Sequence, residues 1–341
     1  MSKPKVAVVI LNFNTADLLR QLLPSVIAST YEHMQLVVAD NASSDDSVAV
    51  IQGFENEGVQ LIKLDQNYGF AGGYNKALAQ IEADYFVLLN SDVEVEPNWL
   101  EPLIAMAESN GDIAAIQPKI RDYYKKTHFE YAGAAGGFID KWAYPFCRGR
   151  LFDDLEEDHG QYNENTEIFW ASGAALFIRS KDYMDAGGLD ADLFAHMEEI
   201  DLCWRLKNRG RQIWACTDSV VYHMGGGTLA KQSPRKTFLN FRNNLALITK
   251  NVPSGQRARL LLRRLLLDGL AGVKFIMGLE FAHCWAVVRA HWNFFFHYNM
   301  WKKKADQTQY RAFLSHTGVL KKSIVISYFL HKKKTFSDLY K

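Results

Sequence analysis

Three carboxylates stand close together in the segment Glu198-Glu199-Ile200-Asp201. The hydrophobic spacing that follows, with Leu202 and Leu206, predicts a helix that begins at Glu198. Acidic residues in a first turn interact favourably with the helix dipole, so capping alone would explain them. A carboxylate can also take the proton of a substrate hydroxyl, which makes a general base the second interpretation.

A second polar group follows an apolar run. Residues Phe86–Leu89 are typical of a buried strand, and the run ends abruptly at Asn90-Ser91-Asp92. Polar residues at the carboxyl end of such a strand are candidates for a binding site in open α/β sheets. The Asp92 carboxylate suits Mg²⁺ or Mn²⁺ when a phosphate supplies the remaining oxygens. An ordinary capped turn between a strand and a helix is the alternative.

Two further strand ends carry groups that suit a nucleotide. Asp40 follows the apolar run Gln35–Ala39, where a carboxylate can accept hydrogen bonds from a base or ribose, although an N-cap is the alternative. The Gly-rich segment Asn67–Asn75 opens a helical pattern, and glycines at a helix N-terminus favour a phosphate. It contains neither Gly-Lys-Ser/Thr nor a clean GxGxxG. The residues expected to hold the nucleotide or donor are Asn12, Asn14, Asp40, Asn67, Gly69, Phe70, Gly73, Asn75, Ser91 and Asp92.

These candidates lie in a pattern of alternating strands and helices. Apolar runs at Val6–Leu11, 35–39, Val59–Leu64 and 86–89 are separated by helical patterns. Such alternation predicts βαβ units, so we expect an α/β fold whose central sheet is mostly parallel and flanked by helices. Residues 121–167 are by turns aromatic, glycine-rich and acidic, and we expect a long irregular segment there.

The composition is that of a folded protein with an ample core, since 48% of the 341 residues are hydrophobic and 23% are charged. Four cysteines without a CxxC pair indicate reduced thiols. The apolar run near residue 6 predicts a first strand rather than a signal peptide. No stretch reaches the ~18 apolar residues of a membrane span. We therefore expect a cytoplasmic protein.

The charge is divided unevenly along the chain. Residues 251–341 hold 16 of the 39 basic and 4 of the 38 acidic residues, a balance of +12, which leaves −11 for residues 1–250. We therefore expect two domains, 1–250 and 251–341, the second helical and basic. Its aromatic and basic composition suits an anionic membrane surface. Packing of residues 251–341, which we call the tail, on the first domain fits the sequence equally well.

In order and spacing, four segments closely resemble the family 2 inverting glycosyltransferases, above all the rhamnosyltransferase-like and galactofuranosyltransferase-like members: VVILNFN, VVADNASSDDS, NYGFAGGYN and LLNSDVEVEP. The resemblance ends near residue 250 and implies a GT-A fold that binds a nucleoside diphosphate sugar. The family holds a divalent metal on a DxD motif. Here the motif is Asn90-Ser91-Asp92, so Asp92 is its one charged ligand and Asn90 would offer a carbonyl oxygen.

The same resemblance assigns roles further along the chain. Glu199 matches the second acid of the family's ED-x-D motif, the catalytic base, although the family has Asp there. Asp201 matches the later acid, which would orient the helix. His223 matches a metal-binding histidine, and the loop Gly225–Ser233 would close over the diphosphate. The expected acceptor-binding residues are Trp170, Glu198 and Arg242.

The predicted function is inverting sugar transfer that depends on Mg²⁺ or Mn²⁺. A sugar, with rhamnose favoured, would pass from a nucleoside diphosphate to a hydroxyl of a cell-surface glycan or a lipid-linked precursor. The tail would attach the protein peripherally to the inner face of the cell membrane, and no nucleic acid partner is expected. A nucleotidyltransferase is disfavoured because the first loop, Asn12–Asp17, has no basic residue. A non-catalytic sugar-nucleotide-binding protein stays open because Asn90 and Glu199 depart from the family pattern.

Overall fold

The computed structural model describes residues 3–225, 233–305 and 310–340. In chain order the strands are β1 (Val6–Asn12), β2 (Met34–Asp40), β3 (Val59–Lys63), β4 (Tyr85–Asn90), β5 (Val93–Val95), β6 (Ile113–Asp122), β7 (Gly137–Asp140), β8 (Pro145–Cys147), β9 (Arg150–Leu151), β10 (Asp154–Leu155), β11 (Thr166–Glu167), β12 (Ala175–Arg179), β13 (Gln212–His223) and β14 (Val319–Leu320). The helices are α1 (Ala16–Ile27), α2 (Ser47–Gly53), α3 (Gly69–Leu78), α4 (Leu100–Ser109), α5 (Ser180–Asp185), α6 (Glu198–Asn208), α7 (Pro234–Asn251), α8 (Ser254–Met277), α9 (Phe281–Phe296), α10 (Tyr298–Lys303) and α11 (Ile324–Phe329).

The central sheet has the strand order β11-β13-β6-β12-β4-β1-β2-β3, with β5 paired to β13. The neighbouring strands β4, β1, β2 and β3 pair in parallel, and so do β6 and β13. Strand β12 runs antiparallel between β4 and β6. The α/β class is confirmed, and the sheet is mixed. Because β12 is antiparallel, its first residue Ala175 pairs with Leu89 at the end of β4. Residues 172–174 therefore lie at the edge where Asn90 ends its strand.

The core lies on both faces of this sheet. In β1, Ala7 and Val9 belong to one buried cluster, and Val6, Val8 and Ile10 belong to another. Successive side chains of a strand point to opposite faces, so a strand covered on both sides is apolar throughout. This explains the continuous apolar runs from which these strands were predicted.

The expectation of a long irregular segment at 121–167 is wrong for residues 137–155, where a second sheet forms with the order β10-β9-β8-β7-β14, whereas residues 156–165 contain no named strand. Its strands have two to four residues, too few to show a period in the sequence. Strand β14 arrives from the C-terminal part and pairs in parallel with β7, Val319 opposite Ile139. Buried Asp140 joins the two parts, since it accepts hydrogen bonds from the backbone nitrogens of Tyr144 and Ile324, both at 2.9 Å.

The helices after residue 250 present two different faces. Leu260, Arg264 and Asp268 of α8 are buried, and in α9 so are Ala290 and Phe294. The opposite side is exposed and apolar, and we call it the outer face: Leu262, Leu266, Leu270, Val273 and Met277 of α8 with Trp285, Trp292 and Phe296 of α9. Among the helices that the structure describes, none has both the length and the hydropathy to cross a bilayer. The tail thus packs on the rest of the chain, and the domain boundary at residue 250 stays a prediction.

Candidate active site

Polar side chains gather at the carboxyl ends of the neighbouring strands β2, β1 and β4. The strand register places Asn12 opposite Asp40 and Leu11 opposite Asn90. Asn12 Nδ2 donates to Asp40 Oδ1 over 2.9 Å, and Asp40 Oδ2 accepts from the backbone nitrogen of Ser43 over 3.0 Å. Asp40 therefore holds the loop that follows β2 against the end of β1.

Three asparagines shape the loops beside this edge. Asn14 has a positive φ of 54°, and its Oδ1 accepts a backbone hydrogen bond of 2.7 Å. Asn67 Oδ1 accepts from the Gly69 nitrogen over 2.8 Å and from Asn41 Nδ2 over 3.0 Å. Asn41 was not predicted as a site residue. Its Oδ1 also accepts from the Tyr68 nitrogen over 3.0 Å, so it links the loop after β2 to the glycine-rich turn.

The glycines of that turn allow helix α3 to approach the sheet. Gly69 begins the helix with φ +69°, where L side chains are strained. A Cβ at Gly73 would lie 2.8 Å from both methyl carbons of Leu11. Asn75 ties α3 to a later turn, because its Nδ2 donates to the Leu189 carbonyl over 2.7 Å and its Oδ1 accepts from Tyr183 Oη over 2.6 Å.

A cavity of about 490 Å³ opens at the carboxyl edge of the sheet. The sequence-predicted residues that line it are Phe70, Asn90, Asp92, Trp170, Glu198, Glu199 and His223. The others do not line it: Asn12, Asn14, Asp40, Asn67, Gly69, Gly73, Asn75, Ser91, Asp201 and Arg242. Ser91 instead belongs with the polar side chains at the carboxyl ends of β1, β2 and β4, since its Oγ accepts a hydrogen bond from Thr15 Oγ1 over 3.1 Å. We call these side chains the strand-end group. The expected closing loop, Gly225–Ser233, falls mainly on residues 226–232, outside the described residues.

Asp92 and His223 meet in the wall of the cavity, 131 positions apart in sequence. His223 Nε2 lies 3.1 Å from Asp92 Oδ1. On its other side, Nδ1 lies 3.0 Å from Glu130 Oε2, at ion-pair distance but without the alignment of a hydrogen bond. Burial opposes the imidazolium charge, but the two carboxylates raise the pKa of His223 to about 10. Glu130 was missed because it lies in the segment that was expected to be irregular.

The donor atoms here suit a divalent ion, although the protein alone supplies few of them. Within the described ranges, no group of three or more His, Cys, Asp and Glu side chains is arranged to hold a metal. Asp92 offers a carboxylate in this wall, and His223 offers an imidazole nitrogen once a bound cation displaces its proton, because only the neutral ring binds a metal. Mg²⁺ is commonly bound by one or two protein ligands together with substrate phosphates, so the site fits a metal that arrives with a diphosphate.

Two carboxyl groups from the start of α6 enter the same cavity. Glu199 is half-buried, and burial raises its pKa to about 7. Glu198 is buried, and burial together with the neighbouring Glu199 raises its pKa well above the ordinary value. Carboxyl groups with raised pKa values are suited to proton transfer near neutral pH.

The segment before α6 has a strained backbone. Phe194, His196 and Met197 have φ values of 68°, 67° and 76°, in the left-handed region that L-residues rarely occupy. Such conformations persist only where the surroundings enforce them. Buried Asn243 does so, because its Nδ2 donates to the carbonyl oxygens of three residues: Leu193, Ala195 and His196.

Arg242 supports the same segment from outside the cavity. Its Nη2 donates to the carbonyl oxygens of Asp192 and Leu193 over 3.2 and 2.9 Å, and its Nε donates to Asn243 Oδ1 over 2.8 Å. The structure thus places the predicted acceptor-binding arginine as a support of the strained loop. The predicted contact of Arg242 with the acceptor stays a prediction.

Asp201 points away from the cavity into a buried ionic network. Its carboxylate accepts hydrogen bonds from Arg205 Nε, Lys250 Nζ and Asn251 Nδ2 over 2.9, 2.7 and 2.8 Å. Burial opposes its charge, but Lys250 and Arg205 hold the pKa of Asp201 well below its ordinary value. Its position fits the predicted role of orienting α6, because it ties that helix to α7.

Trp170 lines the cavity with a fixed ring. Its Nε1 donates to the Phe138 carbonyl over 2.9 Å, and only 5% of the residue is exposed. A Cβ at Gly137 would lie 2.2 Å from the Trp170 ring, so glycine is required there. The predicted contact of this ring with the acceptor stays a prediction.

The sequence profile of Glycosyl transferase family 2 matches residues 7–175, from β1 to the start of β12. The chain contains a family 2 glycosyltransferase domain. The protein is therefore a glycosyltransferase, and the matched residues include the strand-end group, Asp92 and Trp170. Glu199 and His223 complete the cavity of this glycosyltransferase from beyond the match.

Two relatives support the family from sequence. The O-antigen biosynthesis protein RfbC of Myxococcus xanthus is 24% identical over 69% of this chain, but the match spans only 18% of RfbC. The N-acetylglucosaminyl-diphospho-decaprenol L-rhamnosyltransferase of Mycobacterium tuberculosis (strain CDC 1551 / Oshkosh) is 24% identical over 65% of this chain and 76% of its own length. The first name refers to O-antigen biosynthesis, and the second refers to rhamnosyl transfer to a sugar carried on diphospho-decaprenol.

The fold is shared with solved glycosyltransferases. The mannosyltransferase PcManGT of Pyrobaculum calidifontis, in complex with GDP-Man and Mn²⁺, superposes with a TM-score of 0.54. The superposition covers 89% of this chain and 85% of that chain, at 14% sequence identity. This confirms the expected GT-A type of fold for the glycosyltransferase.

Proposed function

We propose that this glycosyltransferase moves a sugar from a nucleoside diphosphate to an acceptor hydroxyl with inversion at the anomeric carbon. The observation that carries the proposal is that one cavity holds both a raised-pKa carboxylate, Glu199, and the paired ligands Asp92 and His223. The first suits the acceptor, and the second suits the diphosphate of the donor. A single displacement needs both groups beside one anomeric carbon.

Glu199 is the base in this proposal. With its pKa near 7, the carboxylate can take the acceptor proton at neutral pH while the hydroxyl oxygen attacks the anomeric carbon. The bond from that carbon to the diphosphate oxygen breaks, and its electron pair leaves with the nucleoside diphosphate. Glu198, whose raised pKa favours the neutral form, would donate a hydrogen bond to the acceptor.

Asp92 and His223 would hold Mg²⁺ or Mn²⁺, with the amide oxygen of Asn90 as a weaker ligand. When bound, such an ion stabilises the charge that develops on the leaving diphosphate. The loops fixed by Asp40, Asn14 and Asn67 would receive the nucleotide at the carboxyl edge of the sheet, where α/β sheets bind ligands.

The acceptor in this proposal is a lipid-linked glycan precursor, and rhamnose is the favoured donor sugar. The mycobacterial relative is named as a rhamnosyltransferase with a diphospho-decaprenol-linked acceptor, which supports both. The outer face would bring the protein to a membrane, since it exposes Trp285, Trp292 and five aliphatic side chains of α8 in a basic tail. Peripheral membrane association would place the cavity near such an acceptor.

The test is sugar transfer by the full-length protein from a panel of nucleoside diphosphate sugars, with EDTA, Mg²⁺ or Mn²⁺ present. We expect transfer that needs the metal and gives the inverted anomer, readable by NMR of the product. Glu199→Gln should lower kcat by ~10²–10⁴-fold and leave donor binding unchanged. Transfer by Glu199→Gln at the wild-type rate would remove the base assignment, and a retained anomer would contradict the mechanism.

A further inference from the structure

Arg264 enters the active-site cavity from the C-terminal helix α8. The residue is 4% exposed and lies among the residues that line the cavity. Its guanidinium carbon stands 3.6 Å from the centre of the Tyr144 ring. The family resemblance ends near residue 250, before this helix begins at Ser254.

A buried acid fixes the orientation of this guanidinium. Arg264 Nε donates to Asp268 Oδ1 over 2.7 Å, one helical turn along α8. On the other carboxylate oxygen, His291 Nε2 of α9 lies 3.1 Å from Asp268 Oδ2. The arginine is therefore held in place before any ligand arrives, which lowers the entropic cost of binding.

One end of the guanidinium is left for a ligand. Nη1 of Arg264 is buried and has no hydrogen-bond partner among the described residues. Arg150, from β9 in the same cavity, likewise has a buried Nε that is unpaired within those residues. Buried N–H groups of folded proteins are almost always paired, so two unpaired cationic donors on this side of a cavity that also holds unpaired Glu198 Oε2 suit an anionic group of a ligand.

Helix α8 carries a second feature on its opposite side. Arg264 and Asp268 belong to its buried stripe, whereas Leu262, Leu266 and Leu270 of the outer face are 61%, 65% and 64% exposed. An anion held by Arg264 would thus be one helix diameter, ~10 Å, from an apolar surface. A ligand with a charged group next to a hydrocarbon chain fits both sides of this helix.

We infer that Arg264 binds the phosphate group of a lipid-linked acceptor, with Asp268 as the positioning residue. The inference rests on the proposed function and deepens it, because it gives the acceptor a specific anchor. A guanidinium forms paired hydrogen bonds with phosphate oxygens, which an uncharged glycoside cannot accept with the same strength.

Two acceptors with the same sugar test this. One is a short-chain prenyl diphosphate sugar, and the other is an uncharged alkyl glycoside. Arg264→Gln should raise KM for the diphosphate acceptor roughly 10- to 100-fold, the loss of a charge-assisted hydrogen bond. KM for the donor and for the alkyl glycoside should not change. Arg264→Lys should raise KM for the diphosphate acceptor less than Arg264→Gln does. Arg263→Gln, an exposed neighbour on the same helix, is the matched control and should behave as wild type.

The results separate this inference from the function on which it rests. An unchanged KM for the diphosphate acceptor in Arg264→Gln would overturn the inference, and so would a shift in the donor KM instead. If the variants do not fold, the wild type still decides: equal KM values for the two acceptors would overturn the inference while transfer itself stands. Failure of the wild type to transfer to either acceptor would defeat the proposed function, and the inference with it.

Discussion

Asn243 donates a hydrogen bond of 2.7 Å from Nδ2 to the carbonyl oxygen of His196, three residues before the proposed base. The same nitrogen reaches two more carbonyl oxygens of the strained segment. One amide thus holds the backbone conformation on which the direction of Glu199 depends.

Asn243→Ala should release this segment. We expect kcat to fall at least tenfold, because small displacements of a catalytic group cost much rate, while the donor KM stays near the wild-type value. Asn244→Ala is the matched control. Asn244 is a buried neighbour whose Nδ2 donates to the Ala143 carbonyl over 2.7 Å, away from the strained loop. Asn244→Ala should lower thermal stability about as much as Asn243→Ala does but keep the wild-type kcat. Equal losses of kcat in both variants would contradict the role assigned to Asn243.

The pH dependence of transfer should follow the Glu198–Glu199 pair. Burial raises the pKa of Glu199 to about 7, so the carboxylate needed as base is depleted below that pH. kcat should therefore rise with pH and level off above about 7, with an apparent pKa that belongs to the pair. A rate that is flat between pH 5 and 8, measured under saturating donor and acceptor, would argue against Glu199.

The raised pKa of Glu199 also makes the stability of the folded protein depend on pH. A carboxyl group whose pKa is raised by folding destabilises the native state as pH rises from its unfolded pKa, about 4.5, to its folded pKa of about 7. Glu199→Gln should thus gain thermal stability over the wild type as pH increases through this window. Thermal unfolding at pH 4.5 and pH 8 measures the difference, which should be larger at pH 8.

Asp201→Asn should act on stability rather than on the chemistry. It leaves buried Arg205 without its carboxylate and Lys250 with Asp190 alone, and removing one partner of a buried ion pair typically costs ~3–5 kcal/mol. Because the pKa of Asp201 is depressed, its contribution is present above the unfolded value near 3.8 and is lost as pH falls below it. Denaturant unfolding at pH 7 measures the loss, and an unchanged midpoint together with a large drop in kcat would instead favour a direct catalytic role.

The outer face can be tested with vesicles. Replacing Leu266 and Leu270 by Gln should weaken binding to anionic phospholipid vesicles in a sedimentation assay and leave transfer to water-soluble acceptors unchanged. Trp285 and Trp292 are 60% and 74% exposed, so their fluorescence should shift to shorter wavelength on binding. Leu155→Gln, at an exposed position on β10, is the control. If the variant with Gln at 266 and 270 binds vesicles as well as the wild type does, the outer face is excluded as the membrane-binding surface.

The residues that end long buried strands or begin a regular helix were predictable. Asp92 follows an apolar run, Glu199 opens a helix, and the register of β1 with β2 and β4 brings their strand ends together. Each position depends on one local pattern plus the rule that ligands sit at the carboxyl edge of such a sheet. The pairing of Asp92 with His223 also came from the family resemblance.

Other parts of the site depend on contacts that no local pattern records. Glu130 lies beside short strands that show no period, and Asn243 acts on a loop 47 residues earlier through its amide. Arg264 lies on an ordinary amphipathic helix, and only the packing of that helix turns its side chain into the cavity. The direction of β12 likewise follows from tertiary pairing rather than from its own composition.

The parallel pairing of β14 with β7 imposes an order of assembly during synthesis. The partner of Ile139 is Val319, so about 180 residues must leave the ribosome before this strand pair can form. Strands β1 to β4 can associate much earlier, since all of them lie within the first 90 residues. The turn that carries Tyr144, fixed through Asp140 to Ile324, is completed last, so a nascent chain acquires its nucleotide-side architecture well before the opposite wall of the pocket is closed.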